Sequence, residues 1–379
     1  MNFNLSKEQE VVMNIARDFS EKELKPITID NDETREFPID AYKKLGSMGM
    51  LGLPYSKEYG GSGGDYLSYV LAVEEVSKIH ASLGIAYSVS VSLCAGGIFS
   101  SASEELKKKY LPDILSGKKF GSFGLTEPNA GSDASGAQTI ALKDGEHYIL
   151  NGSKCFITNG PLSDTFLVFA FTDKDLGTKG LSAFIVEKDF PGFSIGKIEN
   201  TCGIRSAKVS ELIFKDCIVP VENLVGQEGK GFGIAMKTLD GGRIGVAAQG
   251  LGIAEGAFEI AKEYLKERKQ FGKPLYKNQY LSFKMAELDI EIEQAKYILY
   301  KAALDKQDGK NYSISAAKAK LACTDVAMHA TTEAVQMLGG NGYMKEYNVE
   351  RMMRDAKITQ IYEGTNEIQK MIISGSIFR

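Results

Sequence analysis

Apolar positions change their period twice along the chain, and the two changes divide it into three segments. Up to about residue 120 they recur at helical spacing. Ser6 and Gln9 have the spacing of a capping box, and Val11, Val12, Ile15 and Phe19 follow as the apolar face of a first helix. A second helix ends near Gly49, the run YGGSGGDYLSYVLAVEEVSKI passes from a glycine-rich loop into another, and a further helix covers about 103 to 114. From Phe120 the pattern becomes that of strands. HYILNGSKCFITN, TFLVFAFTD, LSAFIVEKD and VSELIFKD are short, rich in Val, Ile and Phe, and separated by turn residues such as Pro191-Gly192, which predicts an antiparallel sheet closing near Val225. After Gly231 helical spacing returns in long segments, about 231–267, 278–307, 313–338 and 365–377, with GKNYS near 310 as a hairpin. Apolar stripes of that length are buried in a bundle or against another subunit. The pattern predicts an α+β protein with an N-terminal helical domain (1–120), a middle antiparallel β-domain (121–230) and a C-terminal four-helix bundle (231–379), and a site in the grooves between unlike domains.

Bulk properties remove several function classes. The chain has 379 residues, 43% hydrophobic and 25% charged, which is ordinary globular composition. Its net charge of −4 gives no overall positive field for nucleic acid, so an anionic ligand must be met by local donors. Apolar runs such as FLVFAF and ISAAKAKLACTDVAM are too short or too interrupted by charge to predict a membrane span. The start, MNFNLSKEQE, lacks the basic-then-apolar pattern of a signal peptide, and five scattered cysteines without CxxC predict a reduced, cytoplasmic protein. His80, His147 and His329 lie far apart and there is no HExxH, so no metal centre is expected.

Five stretches carry candidate chemistry, each with a structural alternative. GLTEPNAGSDASG (124–136) lets backbone N–H groups approach a planar or phosphorylated ligand and adds the hydroxyls of Thr126 and Ser132, unless it is only an elaborate loop. In FITNG, Phe156 is either a stacking ring or strand core, and Thr158 follows it. Arg268, at a helix end before the Gly272/Pro274 turn, is either a pyrophosphate fork or a solvated basic end, and Gln279 lies at the opening of the next helix. Gln336, Met337, Leu338, Gly339 and Gly340 end a helix, which is a binding backbone or a C-cap. In IYEGTNEIQ, Thr365 is a plausible N-cap, and Glu363 beside Ile361 and Tyr362 is either a base with a pKa raised by burial or a solvated loop carboxylate. Cys155 reads as packing rather than a nucleophile, having no histidine close in sequence.

Taken together, FGLTEPNAGSDASG, YILNGSKCFITNG, TLDGGRIGVAAQGLGIA, RKQFGKPL, QMLGGNGY and MRDAKITQIYEGTNEIQ, in this order, make the chain resemble the acyl-CoA dehydrogenase family over essentially its whole length, and within it the short-chain, butyryl-CoA type of anaerobic bacteria. The resemblance implies a homotetramer, a dimer of dimers, with FAD between the β-domain and the C-terminal helices. It implies cofactor contacts from Phe123, Leu125, Thr126, Gly131 and Ser132, and from Phe156, Ile157 and Thr158. Arg268, Phe271, Gln279, Gln336, Met337, Gly339 and Gly340 would contact it from the neighbouring subunit, and Thr365, Asn366 and Glu367 from the start of the last helix. Ser132, Asp240, Arg243 and Gly364 would meet the CoA thioester. Glu363 falls on the catalytic base; some relatives carry the base earlier, at a position that is Gly242 here and cannot serve.

The chemistry so implied is removal of an α-proton by Glu363 with transfer of a β-hydride to flavin N5. The backbone N–H of Glu363 and a ribityl hydroxyl would stabilise the thioester oxygen. Electron-transferring flavoprotein is the implied electron partner. The segment 81 to 97, with Tyr87, is expected to form the base of the acyl pocket. Alternatives are a relative acting on short branched, acrylyl or aryl-acrylyl thioesters, an acyl-CoA oxidase, for which the chain is short, and a non-catalytic helical scaffold.

Overall fold

The computed structural model describes residues 4–378. The first part is a layer of helices: α1 (Lys7–Phe19), α2 (Thr28–Thr34), α3 (Ile39–Ser47), α4 (Tyr66–Ile79), α5 (Ala81–Ser88), α6 (Gly96–Ser101) and α7 (Glu104–Leu115). The capping box at α1 is formed: Gln9 N–H donates to Ser6 Oγ (3.2 Å) and Ser6 N–H to Gln9 Oε1 (2.9 Å). The face of α1 differs from the expected one. Val11 and Ile15 are exposed, while Ala16 and Phe19 are buried.

A π-helical segment (Val89–Ala95) joins α5 to α6, so that Ala81–Ser101 is one continuous helix. By length and composition it could cross a bilayer, with a mean hydropathy of 1.6, and the sequence reading overlooked it. In the fold 89% of its apolar window is buried, so its apolarity is that of a core element. It is called the core helix below.

The middle part contains β1 (Gly121–Gly124), β2 (Ile140–Asp144), β3 (His147–Thr158), β4 (Thr165–Phe171), β5 (Leu181–Glu187), β6 (Phe193–Ile198), β7 (Val209–Pro220) and β8 (Leu224–Val225). They form one sheet in the order β6-β7-β3-β2-β4-β5-β8, with β1 also paired to β4. The sheet is mostly antiparallel, but β1 and β2 both run parallel to β4, a departure from the all-antiparallel expectation. The cause is visible in β4, buried at every position. Phe166, Val168 and Ala170 enter the sheet's own core with Phe184 and Leu212, whereas Leu167, Phe169 and Phe171 turn to the helical core. A strand covered on both faces reads as the unbroken apolar run FLVFAF, and parallel neighbours belong to such covered strands.

The last part comprises α8 (Gly231–Glu267), the short strands β9 (Lys269–Gln270) and β10 (Lys273–Pro274), and then α9 (Gln279–Gln307), α10 (Ser313–Leu338), α11 (Val349–Thr359) and α12 (Asn366–Ile377). The four long segments lie within a residue of where the apolar period put them. α11, short and bounded by glycine-rich turns, was not foreseen, nor was β6.

The core helix is where the three parts meet. Gln249 on α8 donates to Ala81 O (3.0 Å). A Cβ at Gly97 would stand 2.3 Å from Leu167 of β4 and 3.2 Å from Thr238 of α8, so only glycine admits both neighbours. Asn159, left-handed at φ 65 and fully buried, donates its amide to Ala86 O (3.0 Å), Ser90 Oγ (3.3 Å) and Gly121 O (3.3 Å), tying the end of β3 to this helix. Asn159→Ala removes these bonds and puts a residue without a polar side chain at a left-handed position. It is expected to cost about 2–3 kcal/mol, read as a lower denaturant midpoint at unchanged slope.

Candidate active site

Glu363 lies in the turn between α11 and α12. Ile361 N–H and Tyr362 N–H both close on Ile358 O (2.9 and 3.1 Å), and Asn366 N–H reaches back to Gln360 O (3.0 Å). The Glu363 N–H takes no part in these bonds. Tyr362 anchors the turn by donating its hydroxyl to Gln249 of α8. Glu363 (φ 53) and Gly364 (φ 90) are both left-handed. For a glutamate that conformation costs on the order of 1 kcal/mol or more, and here it turns the carboxylate into the protein instead of toward water.

The carboxylate ends against α8, at a place that exists because residue 242 has no side chain. A Cβ on Gly242 would stand 2.0 Å from Glu363 Oε2 and 2.5 Å from Leu93 of the core helix. Both carboxylate oxygens are buried and neither has a hydrogen-bond partner. Burial pushes the pKa of Glu363 up to about 8, against the lowering pull of Arg243 and Lys320. An acid so desolvated, poised near neutrality and without partners, has the character of a general base rather than of a structural ion.

Around it the structure assembles the other predicted residues of this end. Arg243, buried on α8, pairs with Asp240 at 2.5 Å, and a Cβ at Gly364 would lie 3.8 Å from its Nη2. Burial lowers the Arg243 pKa and raises that of Asp240. Thr365 caps α12, its hydroxyl accepting from Ile368 N–H at 3.4 Å. Glu367 is exposed, but Asn366 points inward. Its Oδ1 accepts from Lys320 Nζ (2.8 Å) and Thr324 Oγ1 (3.1 Å), and its Nδ2 donates to Asp325 (2.8 Å), so its side chain is occupied by α10.

Two inward-facing lysines, one fully buried and one half-buried, escaped the sequence reading. Lys320 is fully buried, and burial takes its pKa down to about 7. Lys306 lies with its ammonium 4.0 Å from the centre of the Tyr66 ring, in space left by Gly241, where a Cβ would be 2.6 Å from Nζ; burial brings it also to about 7. Among 45 basic residues nothing local marks these two. Only the adjacent glycines 241 and 242 hinted that α8 keeps two places open.

The loop 124–136 is held to β3 by a second overlooked pair. Lys154, fully buried, meets Glu127 at 2.7 Å and donates to Leu125 O at 3.2 Å, while Glu127 also accepts the N–H groups of Gln138 (2.5 Å) and Thr139 (3.0 Å). Cys155 N–H donates to Thr126 O (2.9 Å), which sets Thr126 beside β3; Cys155 itself is buried and its thiol pKa is raised by burial. Ile157 and Leu125 are buried, Phe123 packs on Phe169 at 5.0 Å between ring centres, and Gly131 and Ser132 are exposed. Phe156, left-handed at φ 57, leaves its ring 67% exposed. Asn159 touches the core helix at Ser90 and Glu363 lies against it at Leu93. Three helical residues rise about 4.5 Å, so the end of FITNG and Glu363 share one turn of the core helix.

The remaining predicted residues lie elsewhere. Arg268 and Gln279 are exposed where α8 ends and α9 begins, and Phe271 is 99% exposed in the hairpin between them. Gln336, Gly339 and Gly340 are exposed at the end of α10, and Met337 is buried. Asn341 donates to Tyr264 of α8 (2.9 Å), which brings these groups to one end of the bundle. From Gly242 to Glu267 α8 runs about 37 Å at 1.5 Å per residue, so in one chain they stand far from Glu363.

Comparison with known proteins agrees with this geometry. Residues 6–118, 122–217 and 229–378 match the N-terminal, middle and C-terminal domains of acyl-CoA dehydrogenase. The chain belongs to the acyl-CoA dehydrogenase family. It is 59% identical over 379 residues to the short-chain specific acyl-CoA dehydrogenase of Clostridium acetobutylicum, covering 100% of both chains. The butyryl-CoA dehydrogenase structure from Megasphaera elsdenii superposes with a TM-score of 0.99 at 53% identity, covering 100% of each chain. A chain solved in work on the electron-transferring flavoprotein of Acidaminococcus fermentans and flavin-based electron bifurcation gives the same values, TM-score 0.99 and 53% identity over 100% of each chain.

The residues present fit the flavin dinucleotide that the family resemblance implies. The Phe156 ring is presented to solvent beside Thr126 and Thr158, and Gly131, Gly339 and Gly340 have nothing within 4 Å of where a Cβ would be, leaving open backbone for a phosphate or ring to approach. For an acyl-CoA dehydrogenase of this geometry, Gly242→Ala is the sharpest local test. Its methyl group competes with the carboxylate of Glu363, so turnover should fall by about 100-fold or more from misplacement of the base, while FAD content and far-UV circular dichroism stay at parent levels.

Proposed function

We propose that the chain interconverts butyryl-CoA and crotonyl-CoA as a short-chain acyl-CoA dehydrogenase, with Glu363 as the base and FAD as the hydride acceptor. The observation that carries this reading is the buried, unpartnered carboxylate of Glu363 in the space left by Gly242. The enzyme is FAD-dependent, and its bound flavin supplies a site that accepts two electrons with the β-hydrogen. Thr126, Phe156 and Thr158 are the groups of this chain that would hold the ring, together with Phe123, Leu125, Gly131, Ser132 and Ile157.

The protein's own part is orientation and one proton. Glu363 takes the α-proton on a carboxylate oxygen, the α C–H electron pair becomes the new double bond, and the β-hydrogen leaves with its pair on the other side. The turn that turns Glu363 inward also leaves its N–H free to donate to the thioester oxygen, a donor fixed before reaction. Gly364 lies beside Arg243 and offers no side chain to obstruct the thioester, while Asp240 holds Arg243 in place. Burial of the carboxylate excludes water from the proton's destination. Ser132, exposed on its loop, is assigned to the CoA chain.

Short-chain preference is supported by the names of the relatives in C. acetobutylicum and M. elsdenii. It is supported also by the packed core helix, where Tyr87 is buried, donates to Met50 O (2.7 Å) and meets Tyr69 edge-on at 5.5 Å between ring centres. Electron-transferring flavoprotein is proposed as the redox partner from the A. fermentans neighbour. A homotetramer is proposed from two features. Phe283, Ile290, Tyr297 and Leu304, all exposed, repeat every seven residues along α9, a stripe suited to another helix. The distance between Glu363 and the group Arg268, Phe271, Gln279, Gln336, Met337, Gly339 and Gly340 is the second, since a neighbouring subunit can bring the two together. Thr365 and Glu367 are assigned to the cofactor's edge near α12. A cytoplasmic location is proposed from five free cysteines.

Anaerobic mixing with butyryl-CoA should bleach the flavin absorbance near 450 nm, faster than with octanoyl-CoA or isovaleryl-CoA. Glu363→Gln should stay yellow and bind CoA thioesters yet bleach about 10³-fold more slowly. Bleaching of that variant at the parent rate would show that another group is the base.

A further inference from the structure

The face assigned to the flavin is made of two irregular pieces of backbone, and one buried ion pair joins them. The first piece is a bulge in β3. Its ladder with β7 slips between Lys154, opposite Leu212, and Ile157, opposite Ser210, so β3 carries one extra residue there. The bulge leaves Phe156 left-handed at φ 57 with its ring turned out of the protein, while Lys154 points in and is fully buried. An aromatic residue keeps that conformation only where its surroundings over-determine it. The second piece is the loop after β1, in which Leu125, Thr126 and Glu127 lead into a turn closed by two backbone bonds between Glu127 and Ala130 (3.2 and 3.0 Å). All three loop residues are bound to the bulge. Lys154 Nζ donates to Leu125 O (3.2 Å) and to Glu127 Oε1 (2.7 Å), and Cys155 N–H donates to Thr126 O (2.9 Å). The Glu127 carboxylate also accepts the N–H groups of Gln138 (2.5 Å) and Thr139 (3.0 Å), and the hydroxyl of buried Thr139 donates back to β3 at Ser153 O (3.4 Å). The stem of Lys154 packs beneath β1, its Cγ 3.7 Å from where a Cβ at Gly124 would be.

We propose that Lys154 and Glu127 are a positioning pair for the flavin: they lock the bulge at Phe156 to the loop at Thr126, so that the binding face is formed by bonds internal to the chain and FAD meets it ready-made. This rests on reading residues 123–132 and 156–158 as the flavin site. Neither member of the pair lies on that face, since both are buried while Phe156, Gly131 and Ser132 are exposed. The pair acts through the backbone on either side of it. A face that is already ordered loses little freedom when a ligand binds, so the bonds that order it contribute to affinity without touching the ligand. Removing one partner has two separable effects. It leaves an uncompensated buried charge, which lowers stability and is relieved when the second charge is removed as well. It also frees Leu125 O from its donor, which removal of the second charge does not repair.

The first test needs no variant. Amide hydrogen exchange on the full chain, with FAD bound and after its removal, should show the N–H groups of Gln138, Thr139 and Cys155 protected to within about threefold in both states. Protection that appears only with FAD would overturn the proposal. In FAD-loaded protein, Lys154→Met should lower the denaturant midpoint, raise the FAD dissociation constant about tenfold or more, and alter the shape of the visible flavin band. Lys154→Met combined with Glu127→Gln should recover most of the midpoint but keep the weak binding and the altered band. Lys78→Met, which takes from Glu255 a lysine 2.8 Å away at the α4–α8 contact, is the control. It should lower the midpoint while FAD affinity and the band stay at parent values. A double variant that regains affinity together with stability, or a control that loses FAD as Lys154→Met does, would show that the pair serves the fold alone. Phe156→Ala and Thr158→Ala separate the two levels of the argument. Parent affinity in both would refute the flavin site itself, and the proposal with it. Weakened binding in them with parent affinity in Lys154→Met would refute only the role of the pair.

Discussion

A carboxylate without hydrogen bonds, held in space that a missing side chain leaves open, is the constraint on which the site depends. Desolvating a carboxylate is costly, and the chain meets that cost with several separate devices. Glycine at 242 provides the volume, a left-handed pair at Glu363 and Gly364 provides the direction, and Tyr362 bonded to Gln249 fixes the turn to the longest helix. Arg243 and Lys320 moderate the electrostatic penalty without touching the acid. These devices come from α8, α10 and the turn before α12, so the environment of Glu363 is made by tertiary structure and cannot form in a local fragment.

The core helix converts these separate elements into one site. Its residues from Ala81 to Leu93 touch, in turn, α8, the end of β3 and the pocket of Glu363. Because one helix carries all three contacts, the end of β3 at Asn159 and the carboxylate of Glu363 meet it about one helical turn apart. The buried Lys154–Glu127 pair does the same service for the loop 124–136, which would otherwise be a glycine-rich segment with little to order it. Buried ion pairs are weak contributors to net stability, and this one accepts two further backbone bonds that satisfy its remaining lone pairs and tie the loop to the start of β2.

What could be read from sequence followed from period and from motif, and failed where only packing decides. α8 and α10 were placed to the residue because their apolar stripes run unbroken between glycine and polar turns. The face of α1 was misread because Val11 and Ile15 share the helical period with the buried set and differ only in what lies opposite. The parallel pairing of β4 is set by topology, which alternation cannot express. Glu363 stood out through its motif, but its desolvation depends on Gly242, more than a hundred residues earlier, which in sequence reads only as the lack of an alternative base. Lys154 and Lys320 resemble any surface lysine until the fold removes them from water.

The most direct measurement is the pH dependence of the second-order rate of flavin bleaching by butyryl-CoA at low substrate, which reports the free enzyme's essential base. Because only the carboxylate form removes a proton, and burial has moved its pKa to about 8, the rate should climb about tenfold per pH unit below that value and level off above it. A rate already level from about pH 5 upward would mean a solvated carboxylate of ordinary pKa. It would contradict the buried, unpartnered base.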